Sequence, residues 1–192
     1  DFTGKINYYQ SLVWYYHMIQ DFVSYFKFSQ KWVDLFEEHP EMIVNNQSLY
    51  FKGLHNSLNA LYMAHKPQKF FDSFEKYLSI NDAIQSSGNK NEISNYELFK
   101  NIHLLNKIIL SADYDNGVKS LKELTSILKT NTYSWDANRV MVFYYKIACI
   151  YFGADDFKNS LEYLNKIINY PVVNFRLDIQ AFARILSLIA HF

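Results

Sequence analysis

Glycine and proline are scarce in this chain, with five and three residues among 192. Most of them stand where a break is needed: Pro40, Pro67, Gly88 and Pro171 each fall between apolar stretches. No segment shows strand-like alternation bounded by turn residues. Apolar residues recur instead at intervals of three and four, the spacing of one helix face. A single cysteine, Cys149, excludes an internal disulfide framework. It lies in an apolar helical run, where a thiol behaves as a small hydrophobe. The net charge is zero, from 19 basic and 19 acidic residues. Nonspecific nucleic-acid affinity comes from clustered Lys and Arg, so nucleic acid is not an expected partner. All three arginines, Arg139, Arg176 and Arg184, nevertheless sit in the last third. No apolar run approaches the roughly 18 residues of a membrane span. No signal peptide is visible, and the chain opens at Asp1, which is compatible with a removed leader. The lack of disulfides makes the cytoplasm the expected compartment and fits the periplasm nearly as well.

Catalytic motifs are also missing. There is no glycine-rich phosphate loop, His-Glu-x-x-His, Cys-x-x-Cys or Gly-x-Ser-x-Gly. The six histidines are scattered, none with a second histidine or cysteine at metal-ligand spacing. Glu37-Glu38-His39-Pro40-Glu41 gathers carboxylates beside a histidine, a pattern that suits a solvated helix end better than a metal site. Neither a metal, nor a cofactor, nor an enzymatic activity is expected.

Aromatic residues are plentiful at 18%, with 16 Tyr, 16 Phe and 3 Trp. Most should fill helix–helix contacts. Some of them mark a period. Phe26, Phe70, Tyr114 and Phe157 are 44, 44 and 43 positions apart. A small residue follows each ring by three: Ser29, Ser73, Gly117 and Ser160. An apolar residue follows by seven: Val33, Tyr77, Leu121 and Leu164. These offsets lie on one helix face, so the unit is a helical hairpin repeated about four times. The expected hairpins pair 5–22 with 24–39, 47–64 with 68–80, 93–111 with 115–129, and 135–152 with 155–169. The repeats span 5–40, 47–84, 93–130 and 135–171, and a ninth helix runs over 174–192. The whole is expected to be one domain. Asp113, Asp115, Asp155 and Asp156 fall at hairpin turns, where Asp caps the second helix. The polar run around Ser86–Lys90 is expected to be the longest loop.

The fourth repeat resembles the tetratricopeptide repeat. Tyr144 opens its first helix, Ile147 and Ala148 form an aliphatic–small pair, and Tyr151 is the following aromatic. Phe157 is the turn aromatic, Ser160 the small residue at the helix crossing, and Leu164 and Ile167 the core of the second helix. The third repeat keeps Tyr114, Gly117, Leu121 and Leu124 but has Leu105 where a small residue is expected. The second keeps Tyr62, Phe70, Ser73 and Tyr77, and the first matches in little beyond its phase. The period exceeds the family's usual length of about 34, which implies longer helices or links.

The resemblance implies an all-α fold, a right-handed superhelix of hairpins with a binding surface on its concave side. That side would be lined by the first helix of each repeat: Val142, Tyr145, Cys149 and Phe152 in the fourth, Asn56 and Met63 in the second, Gln180 and Arg184 on the ninth helix. Of these, Asn56, Tyr145, Phe152, Gln180 and Arg184 are the candidate binding residues, since Tyr and Arg in particular anchor interfaces. The expected function is a noncatalytic scaffold for a protein or peptide segment. The alternative is a structural spacer within a larger repeat protein. The apolar end Leu186-Ser187-Leu188-Ile189-Ala190-His191-Phe192 lacks a polar cap. It is expected to dock on further chain or to seal a homodimer.

Overall fold

A computed structural model describes residues 1–171 and 176–191. Among these residues there are eleven α-helices and no strand. They are α1 (Phe2–Met18), α2 (Phe22–Glu38), α3 (Glu41–Asn45), α4 (Gln47–Met63), α5 (Pro67–Ser79), α6 (Asn81–Ser87), α7 (Lys90–Ser111), α8 (Tyr114–Thr130), α9 (Ala137–Gly153), α10 (Phe157–Ile168) and α11 (Leu177–Ala190). None is long and apolar enough to cross a membrane. The expected ends of the ninth helix, Asn174 and Phe192, lie outside the described residues.

Two of the eleven helices are additions to the expected layout. The segment anticipated as a long polar loop holds α6, ended by Gly88 in the left-handed region at φ 64°. Only Gly88 and Asn89 separate it from α7. Glycine suits that position because it carries no Cβ penalty there. The other addition, α3, starts directly after Pro40. The length of the period is taken up by 17-residue helices (α1, α2, α4, α8 and α9) and by these two short ones.

The chain divides into two compact units, Asp1–His103 and Leu104–Phe192. In the first, α2 packs against both α1 and α4, and α4 against α5. Its core gathers Trp32, Val33, Phe36, Leu54, Leu58, Leu61, Phe70, Phe74 and Tyr77, all nearly inaccessible. In the second, α10 packs against α9 and α11, and α8 against α9. Its core includes Met141, Ala148, Leu164, Ile167, Ile179 and Ala183. Each buried Leu or Ile contributes about 1.5–3 kcal/mol relative to an exposed one.

Three of the four small residues of the period, Ser29, Gly117 and Ser160, are buried. Ser160 is fully buried and donates its hydroxyl to the Ala148 carbonyl at 2.9 Å, tying α10 to α9. Gly117 faces Ile108, where a Cβ would come within 2.4 Å of a methyl group. Ser29 is buried and returns its hydroxyl to the Tyr25 carbonyl of its own helix. The rings of the period are less uniform: Phe70 is fully buried, whereas Phe157 is 40% exposed and meets Phe152 edge-on.

All four hairpin turns share one backbone geometry. The residue before each second-helix N-cap takes a positive φ: Gln20 (60°), His65 (50°), Ala112 (53°) and Asp155 (56°). In three of them the cap N–H closes a wide turn onto the preceding helix: Asp21 to the Tyr16 carbonyl, Lys66 to Leu61 and Asp156 to Tyr151, at 2.9–3.0 Å. This is the helix-ending geometry usually given to glycine, and none of the four is glycine. Asp21 and Asp156 then cap α2 and α10 by accepting from Ser24 and Asn159 backbone N–H groups. Asp113 holds the cap position of α8 and accepts instead from the Asn116 amide.

Candidate functional site

Two first helices, α4 in the first unit and α9 in the second, carry polar and aromatic side chains at α-helical spacing. In the first unit, Lys52 on α4 lies over the Trp14 ring of α1, 5.1 Å from its centre. Asn56, one turn on, accepts from the Tyr25 hydroxyl at 3.0 Å and donates to the Lys52 carbonyl at 2.7 Å. Its amide is therefore committed within the fold. Burial holds the Tyr25 hydroxyl above the usual phenol range.

Beside Asn56, His55 stacks on Phe99 of α7 with ring centres 3.8 Å apart. His55 Nδ1 lies 2.9 Å from Nε2 of His103, and the Asn59 amide nitrogen lies 3.0 Å from His55 Nε2. The tautomers of the two rings decide which nitrogen donates in each of these contacts. His103 is fully buried among Phe70, Phe74 and Tyr77. The two histidines are 48 positions apart in sequence, which is why spacing alone did not pair them. Among the described residues no three His, Cys, Asp or Glu side chains gather as a metal site. Glu37 of the acidic run turns to Lys76, while His39 lies 3.4 Å from Glu41.

In the second unit, Lys146 on α9 donates to Asn106 Oδ1 at 2.7 Å. Burial pushes its ammonium group down to about 8. Cys149, one turn on, is pushed up by burial, partly offset by the Tyr145 hydroxyl and the Lys146 charge. The Tyr145 ring meets Phe182 of α11 with centres 6.4 Å apart. Gln180 is buried and accepts from Arg184 at 3.3 Å, which leaves the Arg184 side chain largely in solvent. Phe152 is half-buried at the far end of α9.

Tyr145 therefore meets α11, the helix that also carries Gln180 and Arg184. Asn56 belongs to the first unit. The histidine pair and the Lys146–Asn106 contact were missed because each joins residues far apart in sequence. No family model matches this chain, and no curated protein or solved structure matches it either.

Proposed function

We propose that this protein is a noncatalytic scaffold of helical hairpins that binds a protein or peptide segment along its first helices. The observation that supports this most is on α9 and α11: Tyr145 meets a Phe182 ring that is 57% exposed, and α11 also carries the exposed Arg184 on another of its faces. Exposed aromatic and arginine side chains are the residue types that anchor interfaces. A right-handed superhelix of the tetratricopeptide type would turn this face inward. Partner capture on immobilised protein, followed by affinity measurement with Tyr145→Ala and Arg184→Ala, tests the proposal. Each variant is expected to weaken binding at least tenfold. Retention of full affinity by both would remove the groove from consideration.

One observation favours a spacer role. α11 exposes Phe182, Ile185, Leu188 and Ile189, a helical stripe of apolar side chains. Such a stripe suits stacking on a further helix or on a second copy of the chain. Sedimentation equilibrium over a wide concentration range, with Ile185→Glu as control, distinguishes self-association from a monomer.

A further inference from the structure

A cleft of about 570 Å³ opens between α8 and α10, away from the residues just discussed. Its volume lies in the range of ligand sites, about 300–1,000 Å³. One wall is a face of α8 at helical spacing: Lys122, Thr125, Ser126 and Lys129. The other wall is Glu162, Tyr163 and Lys166 of α10, with Tyr144 of α9 between the two.

The charges in this cleft do not balance. Lys166 is satisfied: its ammonium lies 2.8 Å from Glu162, 4.2 Å from the centre of the Tyr163 ring and 5.7 Å from that of Tyr144. Lys122 and Lys129 have no carboxylate partner among the described residues. A concave surface with two uncompensated cations concentrates the field of both and attracts anions. The aromatic side is fixed, because Tyr163 is also stacked on Tyr151 with centres 5.9 Å apart.

We infer that this cleft binds an acidic peptide segment that pairs its carboxylates with Lys122 and Lys129 and lays an apolar side chain on Tyr144 and Tyr163. Seven helical positions separate the two lysines, a rise of about 10 Å. That is the reach of about three residues of chain in the polyproline II conformation, whose three residues per turn also bring side chains three positions apart to one face. Carboxylates three positions apart with an apolar residue between them therefore match the wall. A peptide fits better than a phosphate group. The cations are single lysines on a helix flank, with neither an arginine fork nor a helix N-terminus to cradle a phosphate.

The experiment is a calorimetric and 15N NMR titration of the whole chain at low salt. The probe is a short synthetic peptide with glutamates three positions apart and leucine between them. Binding should weaken as salt rises, and the shifted amides should map to α8 and α10. The double variant Lys122→Glu/Lys129→Glu should bind at least tenfold more weakly and regain affinity for the same peptide with lysine in place of glutamate. Circular dichroism confirms that the variant remains helical. The inference is overturned if the probe does not bind, if the double variant binds it unchanged, or if the shifts map elsewhere. Equal binding of inorganic phosphate or single-stranded RNA at the same residues would overturn the peptide assignment. Because Tyr145 and Arg184 are not in this cleft, failure here leaves the α9–α11 proposal standing.

Discussion

The Tyr114 ring covers Gly153 so closely that a Cβ on the glycine would come within 2.6 Å of a ring carbon. Tyr114 opens α8, the second helix of one hairpin, and Gly153 closes α9, the first helix of the next. The ring that marks the period thus joins successive hairpins within the second unit. Gly153→Ala should destabilise this unit by about 1–3 kcal/mol through overpacking, less up to about 1 kcal/mol of helix propensity returned by alanine. Urea unfolding measures the loss. On a Tyr114→Ala background the same substitution should cost nothing, which gives a positive coupling in a double-mutant cycle. Equal costs on both backgrounds would show that the ring is not the obstacle.

A second prediction concerns the shared hairpin turn. Ala112 is exposed and holds φ at 53°, where an L side chain costs about 1–2 kcal/mol relative to glycine. Glycine also enlarges the unfolded ensemble, which removes up to about 1 kcal/mol of that gain. Ala112→Gly should therefore stabilise the protein by about 0.5–1 kcal/mol, seen as a higher urea midpoint with an unchanged slope.

Ser160 provides a third. Its buried hydroxyl joins α10 to the Ala148 carbonyl. Ser160→Ala should cost about 1 kcal/mol for the lost hydrogen bond. Ser160→Leu should cost about 3 kcal/mol or more, because the side chain must enter a closed helix crossing. A leucine variant as stable as the alanine one would show that the crossing is not tightly packed.

The helices were legible in the sequence because their signal is local. Ser160, Leu164 and Ile167 repeat every three to four positions, and all three are fully buried on one face of α10. The last two hairpin turns were marked in the sequence by Asp113 and Asp156, but the left-handed residue shared by all four turns was not. Gln20, His65, Ala112 and Asp155 have no side-chain type in common, since the backbone geometry is imposed by the packed helices on either side. Two short helices were hidden for a related reason: α3 and α6 have too few residues to display a period. The site was less legible than the fold. Asn56 was a candidate binding residue of the second repeat's first helix, yet Tyr25, 31 positions away, takes up its oxygen. His55 with His103 and Lys146 with Asn106 become neighbours only through helix stacking, which no local pattern encodes.

Lys146 makes the stability of the second unit depend on pH in an unusual direction. Its ammonium is pushed by burial from an ordinary value of 10.5 down to about 8, although Asn106 accepts one of its hydrogen bonds. Below pH 8 the lysine is charged in both the folded and the unfolded chain, and the full cost of burying that charge weighs on the fold. Between about 8 and 10.5 the unfolded chain holds a proton that the folded chain has released, so stability rises with pH. The side chain is partly exposed, and the gain should be on the order of 1–2 kcal/mol rather than the full shift at 1.36 kcal/mol per unit. Other groups oppose the rise at its upper end. Burial pushes Cys149 up from 9.0 and Tyr163 up to about 12, so these stay protonated in the fold while their unfolded counterparts ionise. Stability should therefore climb above pH 8 and turn down by about pH 10. Lys146→Met keeps the length of the side chain and removes the charge. It should raise the urea midpoint at pH 7, abolish the climb and leave the decline in place. A midpoint difference between the two proteins that stayed constant from pH 7 to pH 10 would show that the Lys146 ammonium is not held down by the fold.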